Sequence, residues 1–199
     1  LVDGVRRKTT YTYDAKGNVL TVTRNAQDSN QSNWVTTTYE YEPVFNQVSK
    51  IKDPLMHETN LFYDSFGKLE RVRDANNNET TYTYNPQGQS LTVTTPAGTT
   101  QFVYDFGDLV SVIDPLGNVT NRNLDGIGRL QSMTNPLGLM TSYGYDNLNR
   151  MTGVSDPLAG ITQFGYDPNS NLLSVSDAKS PAGVTNYTYD NMDRLQTRT

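Results

Sequence analysis

Acidic residues at regular intervals are the first candidates for chemistry in this chain. Asp14, Asp64, Asp105, Asp125, Asp146, Asp167 and Asp190 recur one after another, and paired carboxylates can divide acid and base roles, as in glycoside hydrolysis. Their periodicity points elsewhere. Each sits where a turn opens, a position that favours Asp or Asn, and Asn85 fills the same slot. A catalytic acid would be unique. His57 is the only histidine and there is no cysteine, which excludes a typical His/Cys zinc site. A Ser-His-Asp arrangement has no support beyond the abundance of serine and aspartate. The runs Asp74 to Glu79 and Asp167 to Asn171 begin like calcium loops, but an EF-hand needs glycine at its sixth place and glutamate at its twelfth. This chain has Glu79 and Asn85 in the first run, and Leu172 and Ala178 in the second. No catalytic residue, cofactor or metal site is therefore expected. Rows of tyrosine could stack on sugars or on a client polypeptide, but their first role is cross-strand packing.

The stretch that sets the positions of all these residues is Thr9 to Gly17, Thr-Thr-Tyr-Thr-Tyr-Asp-Ala-Lys-Gly. Thr9, Tyr11 and Tyr13 leave the same face of an extended strand, Asp14 opens a reversal and Gly17 closes it. The second tyrosine recurs as Tyr13, Tyr41, Tyr63, Tyr84, Tyr104, Tyr145, Tyr166 and Tyr189, with Leu124 in the remaining slot. The next residue is always Asp, Glu or Asn, and threonine always stands four residues before the anchor. This is a tandem repeat. The glycine slot holds Gly17, Gly67, Gly88, Gly107 and Gly128, then Asn149, Ser170 and Asp193. Asn and Asp tolerate the left-handed conformation best among non-glycine residues, and serine fits it poorly.

Midway through most units lies a second reversal, such as Asp53-Pro54-Leu55, Asp114-Pro115-Leu116-Gly117, Asn135-Pro136-Leu137-Gly138 and Asp156-Pro157-Leu158-Ala159-Gly160; a longer one runs from Asp177 to Gly183. Proline pre-sets φ at the second position of such a turn. The unit therefore reads strand, turn, strand, turn, and helix is excluded by this punctuation. About nine units give about 18 short antiparallel strands, a ribbon of roughly 80 Å that must curl. One face should be aromatic and the other of small polar residues such as Thr81, Thr83, Asn121 and Asn123. Leu69 with Val72, and Leu172 with Val175, break strict alternation, which a bulge beside the turn would repair. Residues 25–33 are polar and read as a surface insertion. Leu1 to Lys8 read as the tail of a preceding unit, and residues 1–199 as an array within a longer protein.

The net charge of −5 and the pI near 4.8 give no electrostatic footprint for nucleic acid. No apolar run approaches the length of a membrane-spanning helix. Thirteen tyrosines in register argue against disorder.

The repeated Tyr-x-Tyr-Asp-x-x-Gly, as in Tyr11 to Gly17, alternating with Asp-Pro-Leu-Gly, resembles the YD-repeat (Rhs-repeat) family. That family includes Rhs polymorphic toxins, B and C components of insecticidal toxin complexes, wall-associated proteins and teneurins. The resemblance implies an all-β fold in which hairpin repeats spiral into a hollow shell. In toxin members the shell encloses a C-terminal toxic domain, and other members are surface proteins, some proposed to bind carbohydrate. Family toxins cleave themselves near an Asp-Pro-x-Gly-Leu motif. The nearest match here, Asn135 to Leu139, has Asn for Asp and reads as an ordinary turn. The expected function is a non-enzymatic shell segment of a secreted or surface protein that encapsulates a C-terminal toxin or effector. The alternative is a carbohydrate- or protein-binding adhesion module. Expected partners are the remainder of the same polypeptide, glycans or cell-surface proteins, and other sheet edges.

Overall fold

The computed structural model describes residues 8–25, 34–178 and 183–199. Every regular element among them is a β-strand. Two compact units, residues 1–100 and 101–199, repeat one local plan. The first holds β1 (Thr9–Tyr13), β2 (Val19–Asn25), β3 (Trp34–Tyr41), β4 (Val48–Lys52), β5 (Glu58–Tyr63), β6 (Leu69–Arg73), β7 (Glu79–Tyr84) and β8 (Ser90–Thr95). The strand β9 (Gly98–Asp105) crosses from the first unit to the second. The second continues with β10 (Asp108–Ile113), β11 (Val119–Leu124), β12 (Leu130–Thr134), β13 (Met140–Tyr145), β14 (Met151–Ser155), β15 (Ile161–Tyr166), β16 (Leu172–Ser176), β17 (Val184–Tyr189) and β18 (Leu195–Arg198).

Within the first unit each strand from β1 to β8 pairs antiparallel with the next. Within the second the same holds from β9 to β18. The ladders alternate in kind. Every hairpin that closes over an anchor turn carries a register shift beside the anchor, as between Phe62 and Tyr63. The ladders between one hairpin and the next run without a shift, as for Arg71↔Thr81, Val72↔Thr80 and Arg73↔Glu79. The shift explains the broken alternation. Tyr63 pairs with Leu69 and Leu61 with Val72, so one extra residue, Glu70, brings the Leu69/Val72 pair onto the tyrosine face. Thr80, Tyr82 and Tyr84 share that face, opposite Val72, Val93 and Ser90 respectively.

A single layer leaves both faces half-open, and no side chain among the described residues is fully buried. Cohesion rests on cross-strand pairs, each worth about 0.2–1 kcal/mol. On the face opposite the tyrosines, threonine hydroxyls pair across strands: Thr12–Thr21 at 2.7 Å, Thr23–Thr36 at 2.9 Å and Thr83–Thr92 at 2.7 Å.

Three expectations need correction. In the first unit the second face is not only small and polar. It carries Lys50, Lys52, Glu58, Arg71, Arg73 and Glu79 in ion pairs, and Phe62 under the Arg71 guanidinium, 4.0 Å from the ring centre. Gly107 does not close the common turn. Asp105 pairs directly with Asp108 across a two-residue loop in which Phe106 (φ 47°) and Gly107 (φ 93°) are both left-handed. That is the backbone signature of a type I′ hairpin, and it arises because glycine comes two residues after the aspartate rather than three. Of the presumed insertion, Asn25 belongs to β2 and pairs with Trp34, and residues 26–33 lie outside the described residues. Residues 1–7 and 179–182, parts of the supposed leading tail and of the longest turn, also lie outside them.

Candidate functional site

The periodic acids are best understood one turn at a time. The Asp14 Oδ1 accepts the backbone N–H groups of Lys16 and Asn18 at 2.8 and 2.9 Å, and its Oδ2 accepts Asn18 Nδ2 at 2.8 Å. Gly17 N–H donates to the Asp14 carbonyl, and Asp14 N–H to the Asn18 carbonyl. The same pair of backbone bonds to one carboxylate oxygen recurs at Asp53, Asp74, Asp114, Asp125, Asp146, Asp156 and Asp190. Asp64 accepts from Phe66 and Lys68 in this way, and Asp167 from Asn171. The fourth turn residue is left-handed: Gly67, Gly88, Gly117 and Gly128 have φ of 79°, 89°, 82° and 82°. Met56, Asn77, Asn149, Ala159, Ser170 and Asp193 adopt it without glycine.

The carboxylates are therefore satisfied by their own turns. Asp14, Asp74 and Asp114 are held below the usual carboxylate range, first by the side-chain amide of the asparagine four residues on and then by its backbone N–H. At Asp125 and Asp146 the arginine backbone N–H acts first and the guanidinium adds to it. At Asp190 the Arg194 side chain leads. An acid so held is a poor proton donor and has little valence left for a cation. Among the described residues no cluster of three or more His, Asp or Glu could hold a metal. His57 occupies the slot of Asn18, with Nδ1 2.9 Å from Asp53 Oδ2. It is a turn residue.

The slot four residues after the acid was not singled out in the sequence, and it links the units. Asn18 Nδ2 donates to Asn46 Oδ1 at 2.9 Å, Arg129 Nη1 to Asn149 Oδ1 at 2.8 Å, Arg150 Nη1 to Ser170 Oγ at 3.3 Å and Asn171 Nδ2 to Asp193 Oδ1 at 2.7 Å. Asn46, Asn149, Ser170 and Asp193 are the non-glycine residues in the left-handed slot of the following anchor turn. A side chain that strains the backbone there is also the acceptor that ties one turn to the last. This accounts for Ser170. The arginines reach further, to the backbone carbonyls of Asp146 and Asp167, and cover the rings of Tyr145 and Tyr166, each at 4.8 Å.

The anchors form a second relay. Tyr41, Tyr63 and Tyr84 in the first unit donate their hydroxyls to the carbonyls of Val19, Val48 and Leu69, at 2.9, 2.7 and 2.7 Å. Tyr145, Tyr166 and Tyr189 in the second donate to Leu130, Met151 and Leu172, at 3.1, 2.9 and 3.0 Å. Each acceptor is the ladder partner of the preceding anchor. Leu124 has no hydroxyl to give. There Arg122 Nη1 donates to the Leu109 carbonyl at 3.2 Å, and Leu109 is the partner of Tyr104. Desolvation raises the Tyr63 and Tyr84 phenols, helped by Glu42 at the first and by Tyr82 and Asp64 at the second, as befits protonated donors.

An open trough of about 700 Å³ is lined by residues including Glu40, Lys50, Asn60, Phe62 and Phe45. The anchors lie in turns or at strand ends; Tyr63 and Asp64 border this trough, and Asp105, Asp125 and Gly128 line a separate one of about 490 Å³.

A fold of antiparallel hairpin repeats with one anchor turn per unit defines a class of repeat protein. The RHS Repeat family model matches residues 63–100 and 125–161. The tRNA3(Ser)-specific nuclease WapA of Bacillus spizizenii is 33% identical over 114 residues, covering 55% of this chain and 4% of that protein. The crystal structure of TcdB2-TccC3-Cdc42 superposes with a TM-score of 0.75 at 17% identity over 92% of this chain and 12% of that one. The Photorhabdus luminescens Tc holotoxin pore gives 0.73 at 16% identity over 93% of this chain and 12% of that one. The matched stretches and these relatives support a YD (Rhs) repeat array. The chain spans only a small fraction of the length of the relatives it matches.

Proposed function

We propose that residues 1–199 are a non-enzymatic length of wall in a larger YD-repeat protein, and that this protein encloses a C-terminal toxin or effector domain. The observation that supports this reading best is the relay from six anchor tyrosines to the carbonyl beside the previous anchor. It directs the repeated Tyr and Asp side chains to holding neighbours rather than to a site. The matched relatives, a nuclease and toxin complexes, favour a toxin parent that is secreted or displayed at the cell surface, with the rest of the same polypeptide as the main partner. Limited proteolysis of the full-length gene product tests it. The domain after the repeats should resist protease until the wall is opened by deleting residues 63–100. Equal cleavage before and after deletion would refute encapsulation.

A second reading, an adhesion module that recognises glycans or proteins, draws support from the trough beside Phe62, where an aromatic ring meets Asn60, Lys50 and Glu40. A glycan array with a Phe62→Ala control tests it.

A further inference from the structure

We infer that the second-turn edge of the second unit is an interface for another stretch of the same repeat array, whose turn tips interlock with a row of exposed leucines. The inference rests on the chain being part of a longer array and not on encapsulation.

Successive turns of an antiparallel meander fall on opposite edges of the sheet, so the anchor turns share one edge and the second turns the other. On the second edge Leu116, Leu137 and Leu158 each follow a proline, and they are 86%, 81% and 91% exposed. The turn asks nothing of these side chains. It uses only their backbone N–H groups, which donate to the side chains of Asp114, Asn135 and Asp156. Asn76 fills the same place in the first unit and makes the same bond. Three exposed leucines in successive repeats therefore answer to something outside the turn. A second position changes with them. The next strands open at Val119, Met140 and Ile161, which are 37%, 53% and 53% exposed and lie on the face opposite the tyrosines. In the first unit that place holds Glu58 and Glu79, paired with Lys52 and Arg73. Two separate positions turn apolar over the same repeats, and an exposed apolar strip of this kind marks a contact surface.

What covers the strip must match its spacing. Tips on one edge recur every second strand, about 9.6 Å apart. The anchor edge has the same period and the same chemistry. Ile127, Leu148 and Met192 hold the third place of their turns and are 68%, 62% and 74% exposed. The acids flanking both rows are turned back onto their own backbone N–H groups, so they do not set the two rows against each other. An anchor edge laid along the leucine edge would seat each tip between two others and stay in step. The relatives leave ample chain to supply such an edge, since this one covers 4% of WapA and 12% of the TcdB2-TccC3 chain. A long antiparallel ribbon curls rather than extending flat, which brings its own edges together.

Photocrosslinking in the full-length gene product tests this. Benzoylphenylalanine replaces Leu116, Leu137 or Leu158 singly, and Asn76 as the control, and the peptides joined on irradiation are identified by mass spectrometry. The three leucine positions should each attach, within the same polypeptide, to the turn of a distant repeat. Their targets should be successive turns, one repeat apart, and the Asn76 position should attach far less. Leu116→Asn, Leu137→Asn and Leu158→Asn together, a residue this turn accepts at Asn76, should lower the melting midpoint of the same protein. Distant turns as targets support the contact whether or not a domain is enclosed, which protease resistance reads separately. Targets in the domain after the repeats, in a second molecule or in lipid, targets without the one-repeat step, no attachment, equal attachment from the Asn76 position, or an unchanged midpoint would each overturn the inference.

Discussion

Replacing Tyr84 by phenylalanine isolates the link that joins one hairpin to the next. The ring stays, and with it the Lys68 ammonium 5.4 Å from its centre. Only the hydroxyl is lost, together with its 2.7 Å bond to the Leu69 carbonyl. The site is half-buried, so the carbonyl regains water only in part. A neutral hydrogen bond removed in this way costs about 0.5–1.5 kcal/mol, out of a total of about 5–15 kcal/mol for a typical domain. Tyr11, 50% exposed, is the control, and Tyr11→Phe should stay within about 0.5 kcal/mol of the parent. Urea unfolding followed by tyrosine fluorescence and far-ultraviolet dichroism measures both, and concordant curves justify a single free energy. Tyr84→Phe combined with Tyr145→Phe, on separate units, should add to within about 0.5 kcal/mol. A Tyr84→Phe cost no larger than that of Tyr11→Phe would refute the relay.

Four further outcomes follow from the turns and the relay. Ala159→Gly, at φ 64° with no side-chain acceptor, should stabilise by up to about 1 kcal/mol. Ser170→Gly should gain less in the same denaturation assay, because it also loses the Arg150 bond. Gly128→Val, at φ 82°, should cost about 1–2 kcal/mol or more through backbone strain. Arg122→Ala should destabilise, and adding Leu124→Tyr should restore most of the loss by supplying the missing hydroxyl to Leu109. The lowered carboxyls of Asp14, Asp74, Asp114, Asp125, Asp146 and Asp190 mean that the unfolded chain binds protons first as pH falls. The stability they contribute is full above about pH 4 and declines as pH drops through the folded values, so the urea midpoint should be flat at neutral pH and fall steeply below about pH 4.

Much of this fold is legible in the sequence because its signals are local. Tyr-x-Tyr with threonine between predicts a strand, and Asp-x-x-Gly predicts its reversal, each from a handful of adjacent residues. The bulge, too, is forced by Leu69 and Val72 standing three apart. What the sequence conceals are links between units. The acceptors of the tyrosine hydroxyls are main-chain carbonyls, which leave no mark on residue type, so Arg122 standing in for Leu124 is visible only in three dimensions. The residue four after the acid is legible, since Asn18, His57, Asn78, Asn118 and Arg129 all carry a donor, but Lys68 and Gly160 in the same slot blur the pattern. The short turn at Asp105 could have been read from its spacing. The charged face of the first unit follows from alternation through Lys50, Lys52, Arg71 and Arg73.

The most direct test of the account is an electron cryo-microscopy map of the full-length gene product. Residues 8–199 should form part of a continuous β wall, with density for the C-terminal domain inside it and the hydroxyls of Tyr41, Tyr63, Tyr84, Tyr145, Tyr166 and Tyr189 on the carbonyls of the preceding hairpins. A map in which the repeats enclose no domain, or in which the anchor side chains gather around a bound ligand instead of those carbonyls, would contradict it.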